Sequence, residues 1–133
     1  MPEPARATAS GPGRVLIAVY GVFALSASAR AGVQITQRFA EAPLAYSLSA
    51  VAGFVYILAT VGLAGSGPGA RRLAWAAVVF ELVGVLTVGT LTVFDQADFP
   101  DDTVWSVYGR GYGFIPLVLP LVGLWWLRHT RER

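Results

Sequence analysis

Cysteine is absent from this chain, and so are lysine and asparagine. Without cysteine there is no disulfide framework, thiolate metal site or cysteine nucleophile. Charge is scarce as well: charged residues make up 14% and hydrophobic residues 55%, against about 25% charged in an ordinary soluble domain. A chain so poor in charge cannot cover a globular surface with polar groups, and lipid is the solvent its composition suits. Histidine occurs once, at His129. No nucleophile–base pair, phosphate loop or HExxH motif is present, so nothing in the sequence argues for an enzyme, a metal or a cofactor.

All ten basic residues are arginine. With abundant Ala, Gly and Val, this composition suggests a genome rich in G and C. The isoelectric point near 9.4 does not point to nucleic acid, because the arginines stand at the ends of apolar segments and form no patch.

The 133 residues are enough for one compact unit. Residues 1–13, "MPEPARATASGPG", have no apolar period and predict a disordered tail. Residues 14–133 then form a single transmembrane domain. Four apolar segments follow one another: Val15 to Ala29, Ala42 to Ala64, Leu73 to Phe94, and Tyr112 to Leu127. The third spans about 33 Å as a helix, enough for a hydrocarbon core of about 30 Å. The fourth is short, and its helix is expected to begin near Thr103, with Trp105, Tyr108 and Tyr112 in the interface. "GSGPGARR" reads as a tight turn between segments two and three. "RAGVQITQRFAE" and "DQADFPDDTVWSVYGRG" read as longer connections. No internal repeat is visible, which argues against an inverted-repeat transporter within one chain.

The fold class is therefore all-α, a polytopic transmembrane four-helix bundle. With both termini cytoplasmic, seven arginines lie inside (Arg6, Arg14, Arg71, Arg72, Arg128, Arg131, Arg133) and three outside (Arg30, Arg38, Arg110), as the positive-inside rule requires. A multi-pass protein of a bacterial plasma membrane is expected. A competing reading is a signal peptide: Arg14, an apolar stretch and Ala27-Ser28-Ala29 allow cleavage after Ala29, leaving three helices.

Small residues mark helix faces that pack closely in lipid. Segment two carries Ala45, Ser49 and Gly53, and segment three Ala74, Ala77, Glu81, Gly84 and Val88. Segment four carries Gly109, Gly113, Pro116, Pro120 and Gly123. Pro116 and Pro120 each remove a backbone donor and crowd the preceding turn, so a kink is expected there, either merely shaping the helix or acting as a hinge or cation-coordinating element.

Glu81, in "VVFELVGVL", is the strongest signal for chemistry. It falls near the bilayer midplane, where a charged carboxylate costs about 2.5–3.5 kcal/mol on insertion scales. No arginine lies at its depth, so a neutral, protonated Glu81 is expected at rest unless a partner or ligand brings positive charge. Tyr20, Ser49 and Tyr56 are its expected neighbours. Two readings stand side by side. Glu81 is a protonatable site for a cation or lipophilic small molecule, or it is a hydrogen-bonding peg fixing helix register.

The acidic loop "FDQADFPDD" holds Asp95, Asp98, Asp101 and Asp102. Four carboxylates within eight residues could bind Ca²⁺ or Mg²⁺ through hard oxygens, although the glycine and closing glutamate of an EF-hand are missing. A solvated loop is expected, with aspartates free to pair with Arg38 or Arg110. His129 in "LRHTRER" is expected among lipid headgroups with Arg128 and Arg131, and Trp125 and Trp126 in an inner interfacial belt.

The blocks "RFAEAPLAYSLSAVAGFVYILATVGLA", "FELVGVLTVGTL" and "VWSVYGRGYGFIPLVLPLVGLWWLR" resemble small four-helix integral membrane proteins of actinobacteria. That resemblance covers most of the chain beyond the tail and implies a four-helix fold, without an activity. In size and in its one membrane carboxylate, the chain is also similar to small multidrug resistance transporters. Their essential glutamate lies in the first helix, whereas Glu81 lies in the third, so the likeness is one of mechanism. Four short helices leave little room for a pathway, which implies a homo-oligomer or a larger membrane complex. A transporter or binding subunit, a non-catalytic accessory subunit, and a membrane enzyme working at the outer loops are the three functions the sequence leaves open.

Overall fold

In the computed structural model, residues 11–94 and 105–130 are described. Among these residues four α-helices run in chain order: α1 (Pro12–Arg38), α2 (Pro43–Ala64), α3 (Gly67–Phe94) and α4 (Ile115–Thr130). Short 3-10 segments cover Phe39–Glu41 and Ser106–Tyr112, and the described residues contain no strand. α1, α2 and α3 are each long and apolar enough to cross a membrane. The Ser106–Tyr112 segment and α4 would make a fourth span only if taken together across the 99° bend between them.

Residues buried in α1 fall at Leu16, Tyr20, Phe23, Ala27, Ala31 and Gln34, a three-four spacing that keeps one face inward. Ala31 and Gln34 carry this stripe through "RAGVQITQR", so the stretch expected as a connection is helix. α1 ends at Arg38, whose φ of −141° leaves the helical region, and a short 3-10 turn leads on to Pro43. Ala42 before it is forced out of the helical region, with φ −155° and ψ 68°, because the proline ring crowds the preceding backbone. At the other end α1 starts at Pro12, two residues inside the expected tail. Ala29 lies within this unbroken helix.

The α2–α3 turn is tighter than "GSGPGARR" suggests, since α3 starts at Gly67. Gly65 caps α2 by returning its N–H to the Val61 carbonyl at 2.9 Å. Pro68 occupies the first turn of α3, where a missing donor costs nothing. Beyond the turn the backbones nearly touch: a Cβ on Gly62 would lie 2.5 Å from the Ala74 nitrogen.

α4 returns beside the first half of α3. A Cβ on Gly123 would meet the Val78 side chain and the Tyr20 hydroxyl. The Arg71 guanidinium donates to the Leu127 carbonyl and, at 3.4 Å, to Thr130 Oγ1, satisfying acceptors that the end of α4 leaves open. Arg71→Ala is expected to cost about 1 kcal/mol and to speed hydrogen exchange in the last turn of α4. Unchanged exchange there would show that the contact is idle.

Large apolar side chains face outward. Val22, Leu25, Phe54, Val61, Val83 and Leu121 are exposed, while the interior is rich in alanine and tyrosine beside valine, leucine and tryptophan, and it holds Glu81. This arrangement suits a lipid surround, in which close packing of small residues replaces the hydrophobic drive between helices.

The fourth segment departs most from expectation. No α-helix begins near Thr103 among the described residues; a 3-10 segment starts at Ser106 and α4 only at Ile115. Val107, Tyr108 and Gly109 have positive φ (48°, 59° and 85°), as do Gly113 and Phe114. Positive φ is an outlier for a β-branched residue such as Val107, and each non-glycine position of this kind costs about 1–3 kcal/mol. The turn between Tyr112 and Ile115 takes the 99° bend. Pro116 follows in the first turn of α4, and Pro120 alone lies in its interior.

Candidate functional site

The middle of α3 carries Glu81, which is fully buried. Its inward face follows from the helix period: Ala74, Ala77, Val78, Glu81, Val85 and Val88 are all buried, whereas Val79, Phe80 and Val83 are exposed. All four helices converge at this level. α1 supplies Tyr20, whose hydroxyl donates to Glu81 Oε1 at 2.5 Å. α4 supplies Gly123, close enough that a Cβ there would come within 3.2 Å of the Tyr20 hydroxyl. α2 supplies Tyr56, fully buried, its ring 6.1 Å from that of Tyr20.

Glu81 Oε2 has no hydrogen-bond partner among the described residues. Nor does any described arginine pair with Glu81. Half of this carboxyl group is thus held by Tyr20 and the other half faces the interior unbonded. A buried polar atom of that kind costs stability and calls for an explanation.

Tyr56 is close to Glu81 without bonding it. Its hydroxyl accepts a hydrogen bond from Trp105 Nε1 at 3.0 Å. Ser49 is not brought to the site. It is buried with Oγ unpartnered among the described residues, but it sits two helical turns before Tyr56, about 10 Å along α2. Gly62 of α2 packs on Ala74 of α3, so in this antiparallel pair Tyr56, and not Ser49, is level with Glu81.

Trp105 was expected in the interface and is instead 2% exposed in the core. Its indole lies on Gly84, where a Cβ would approach the ring to 2.5 Å. The small residue one turn from Glu81 therefore admits an aromatic ring, not a helix backbone. Tyr108 lies against Gly89 in the same manner, and its hydroxyl is 2.8 Å from Thr90 Oγ1. Tyr112 accepts a bond from Arg30 at 2.8 Å and meets Phe23 edge-on at 5.8 Å. Phe23, Trp105 and Gly123 are the site residues the sequence reading missed. Alternating glycines in "YGRGYG" signalled a chain able to turn back into the helices, but not how deep it would reach.

The acidic loop residues Asp95, Asp98, Asp101 and Asp102 lie outside the described residues. Arg38 pairs with Glu41 at 3.9 Å on the exposed surface, and Arg110 is exposed. Of the segment-four face, Gly109, Pro116, Pro120 and Gly123 are buried and Gly113 is exposed. Pro116 ring atoms lie where a Gly109 Cβ would be, at 2.6 Å, so this proline braces the bend that precedes it. His129 stacks on Trp125, 5.2 Å between centroids and 11° between planes. Trp126 is buried while Trp125 is exposed, so one ring of the pair serves packing. Among the described residues no three His, Cys, Asp or Glu side chains gather as metal ligands.

No protein-family model matches the chain, and no curated protein or solved structure matches it either.

Proposed function

We propose that this is a small multi-pass membrane protein of the bacterial plasma membrane, a four-helix bundle with both termini in the cytoplasm. Glu81 is its working group, neutral at rest, binding or moving a cation or lipophilic small molecule in exchange for its proton. The observation that supports this most is the divided state of the carboxyl group: Oε1 is taken by Tyr20 and Oε2 is unpartnered among the described residues. A peg that only fixed register would be expected to use both oxygens, since an unmet buried acceptor costs about 1–3 kcal/mol. An ionisable group inside a membrane that is not used up in structural bonds is a functional site by default. Assembly as a homo-oligomer would give the pathway room that one chain lacks.

The test is flux in proteoliposomes carrying an internal pH dye, with tetraphenylphosphonium as the lipophilic cation. The native protein should release protons against the incoming cation, and Glu81→Gln should abolish that release while remaining monodisperse. Equal flux with and without the carboxyl group would refute the proposal.

A second reading, a non-catalytic accessory subunit, draws on one observation. The exposed face of α3 carries a shallow apolar groove of about 600 Å³, lined by Arg72, Trp75, Ala76, Val79, Phe80 and Val83. A partner helix could pack there. That reading expects no flux at all and a stoichiometric partner on gentle native purification.

A further inference from the structure

Between Glu81 and the end of the bundle where α3 finishes stands a segment that does not belong to any of the four helices. Trp105 leads it, fully inside, with its indole on Gly84, one helical turn or about 4.5 Å along α3 from Glu81. Tyr56 bonds this indole and also lies beside Tyr20, the partner of Glu81. The ring thus covers the carboxyl group from that side.

Behind Trp105 the chain is tied to α3 and to α1. Val107 N–H donates to Thr92 Oγ1 at 2.7 Å, Tyr108 bonds Thr90, and Tyr112 bonds Arg30 of α1. The same stretch has the unfavourable positive φ values at Val107 and Tyr108, and it ends at Gly113, φ 65°, before a 99° turn into α4. Strained backbone, specific bonds that can be broken one by one, and a glycine pivot next to a rigid helix are the parts of a hinged closure.

We propose that Trp105 and the Ser106–Tyr112 segment form a removable plug. Seated on Gly84 and bonded to Tyr56, the plug shuts Glu81 off from the α3 C-terminal side. Swinging about Gly113, it opens that side. Strain released at Val107 and Tyr108 offsets part of the bonding lost on opening. The inference rests on the reading of Glu81 given above and assigns to that site the element that controls access.

The chain has no native cysteine, so single thiols report accessibility without background. Val85 and Val78 are both fully buried on the Glu81 face, one turn beyond it toward the plug and one turn before it. In lipid nanodiscs, with both faces open to a membrane-impermeant cationic methanethiosulfonate, Val85→Cys and Val78→Cys should both react slowly. Adding Trp105→Ala should speed modification at position 85 about tenfold or more, the sign of a local opening, and leave position 78 unchanged. Trp105→Phe, which keeps a ring but loses the bond to Tyr56, should give a smaller rise at position 85 only. It carries the test if the alanine variant does not assemble. No acceleration at position 85, or equal acceleration at both positions, would overturn the plug, the latter because Trp105 would then be an ordinary core residue. Thiol chemistry needs no flux, so a failed plug leaves the Glu81→Gln result intact, and the reverse also holds.

Discussion

Replacing Gly62 with alanine is expected to cost about 3 kcal/mol, at the upper end of what overpacking does in a tight interior. The added Cβ would lie 2.5 Å from the Ala74 nitrogen, 2.8 Å from its Cα and 3.0 Å from the Ala70 carbonyl oxygen. All three are backbone atoms of α3, so no rotamer change relieves the contact and the helices must move apart. The two-residue turn of Gly65 and Ser66 leaves little slack for that movement. Gly21→Ala makes the contrast: its nearest new neighbour is Thr60 Cγ2 at 3.9 Å, an ordinary contact. There the substitution should be neutral or stabilise by up to about 1 kcal/mol, the usual gain of alanine over glycine inside a helix. Unfolding in mixed micelles by denaturing detergent would measure both. Equal stabilities for the two variants would show that the α2–α3 approach is looser than the geometry says.

How much of this was legible beforehand depends on the kind of signal. Apolar length located three membrane-scale helices, and the small-residue spacing put Glu81 on an inward face together with Ala77 and Val88. Helix ends were read less well, because polarity was taken for irregularity. Arg30 through Arg38 look like a loop by composition but contain no proline and continue the buried stripe at Ala31 and Gln34. A helix can project past the hydrocarbon layer and keep packing against its neighbour, and hydropathy is blind to that. Tyr20 was legible as a partner of Glu81 because depth is set by distance from segment ends. Ser49 was misplaced because the register of α2 on α3 is set by the approach of Gly62 to Ala74.

Trp105 shows where such reading runs out. Tryptophan near the end of an apolar segment is ordinarily interfacial, and the sequence around it offered no reason to think otherwise. The backbone path that carries it inward passes through left-handed conformations at Val107 and Tyr108, which local propensity disfavours. Only tertiary contacts, the seats provided by Gly84 and Gly89 and the bond to Tyr56, hold it there. Conflicts between local preference and observed structure concentrate at functional sites, and this one adjoins the single buried carboxylate among the described residues.

The Tyr20–Glu81 pair separates a working carboxyl group from a structural one most sharply. Tyr20→Phe keeps the ring against Tyr56 but removes the only hydrogen bond Glu81 makes among the described residues. It should cost about 2 kcal/mol, the penalty for leaving a buried acceptor unmet. Glu81→Leu fills similar space and removes both carboxylate oxygens, yet strands the Tyr20 hydroxyl, so it should cost somewhat less. Combining them removes both groups that the single changes leave unmet. The double variant should return to within about 1 kcal/mol of the native protein, or exceed it, since an apolar replacement of a buried polar pair is often neutral or stabilising. The coupling between the two positions should then be about 2.5 kcal/mol or more, above the usual range for hydrogen bonds between transmembrane helices, because each single change strands its partner. A native-like stability in a protein that has lost all flux would mean that the carboxyl group is kept for what it does and not for how it holds the helices together. A double variant about 3 kcal/mol or more below the native protein would mean the opposite, with Glu81 a register peg whose loss its partner cannot compensate.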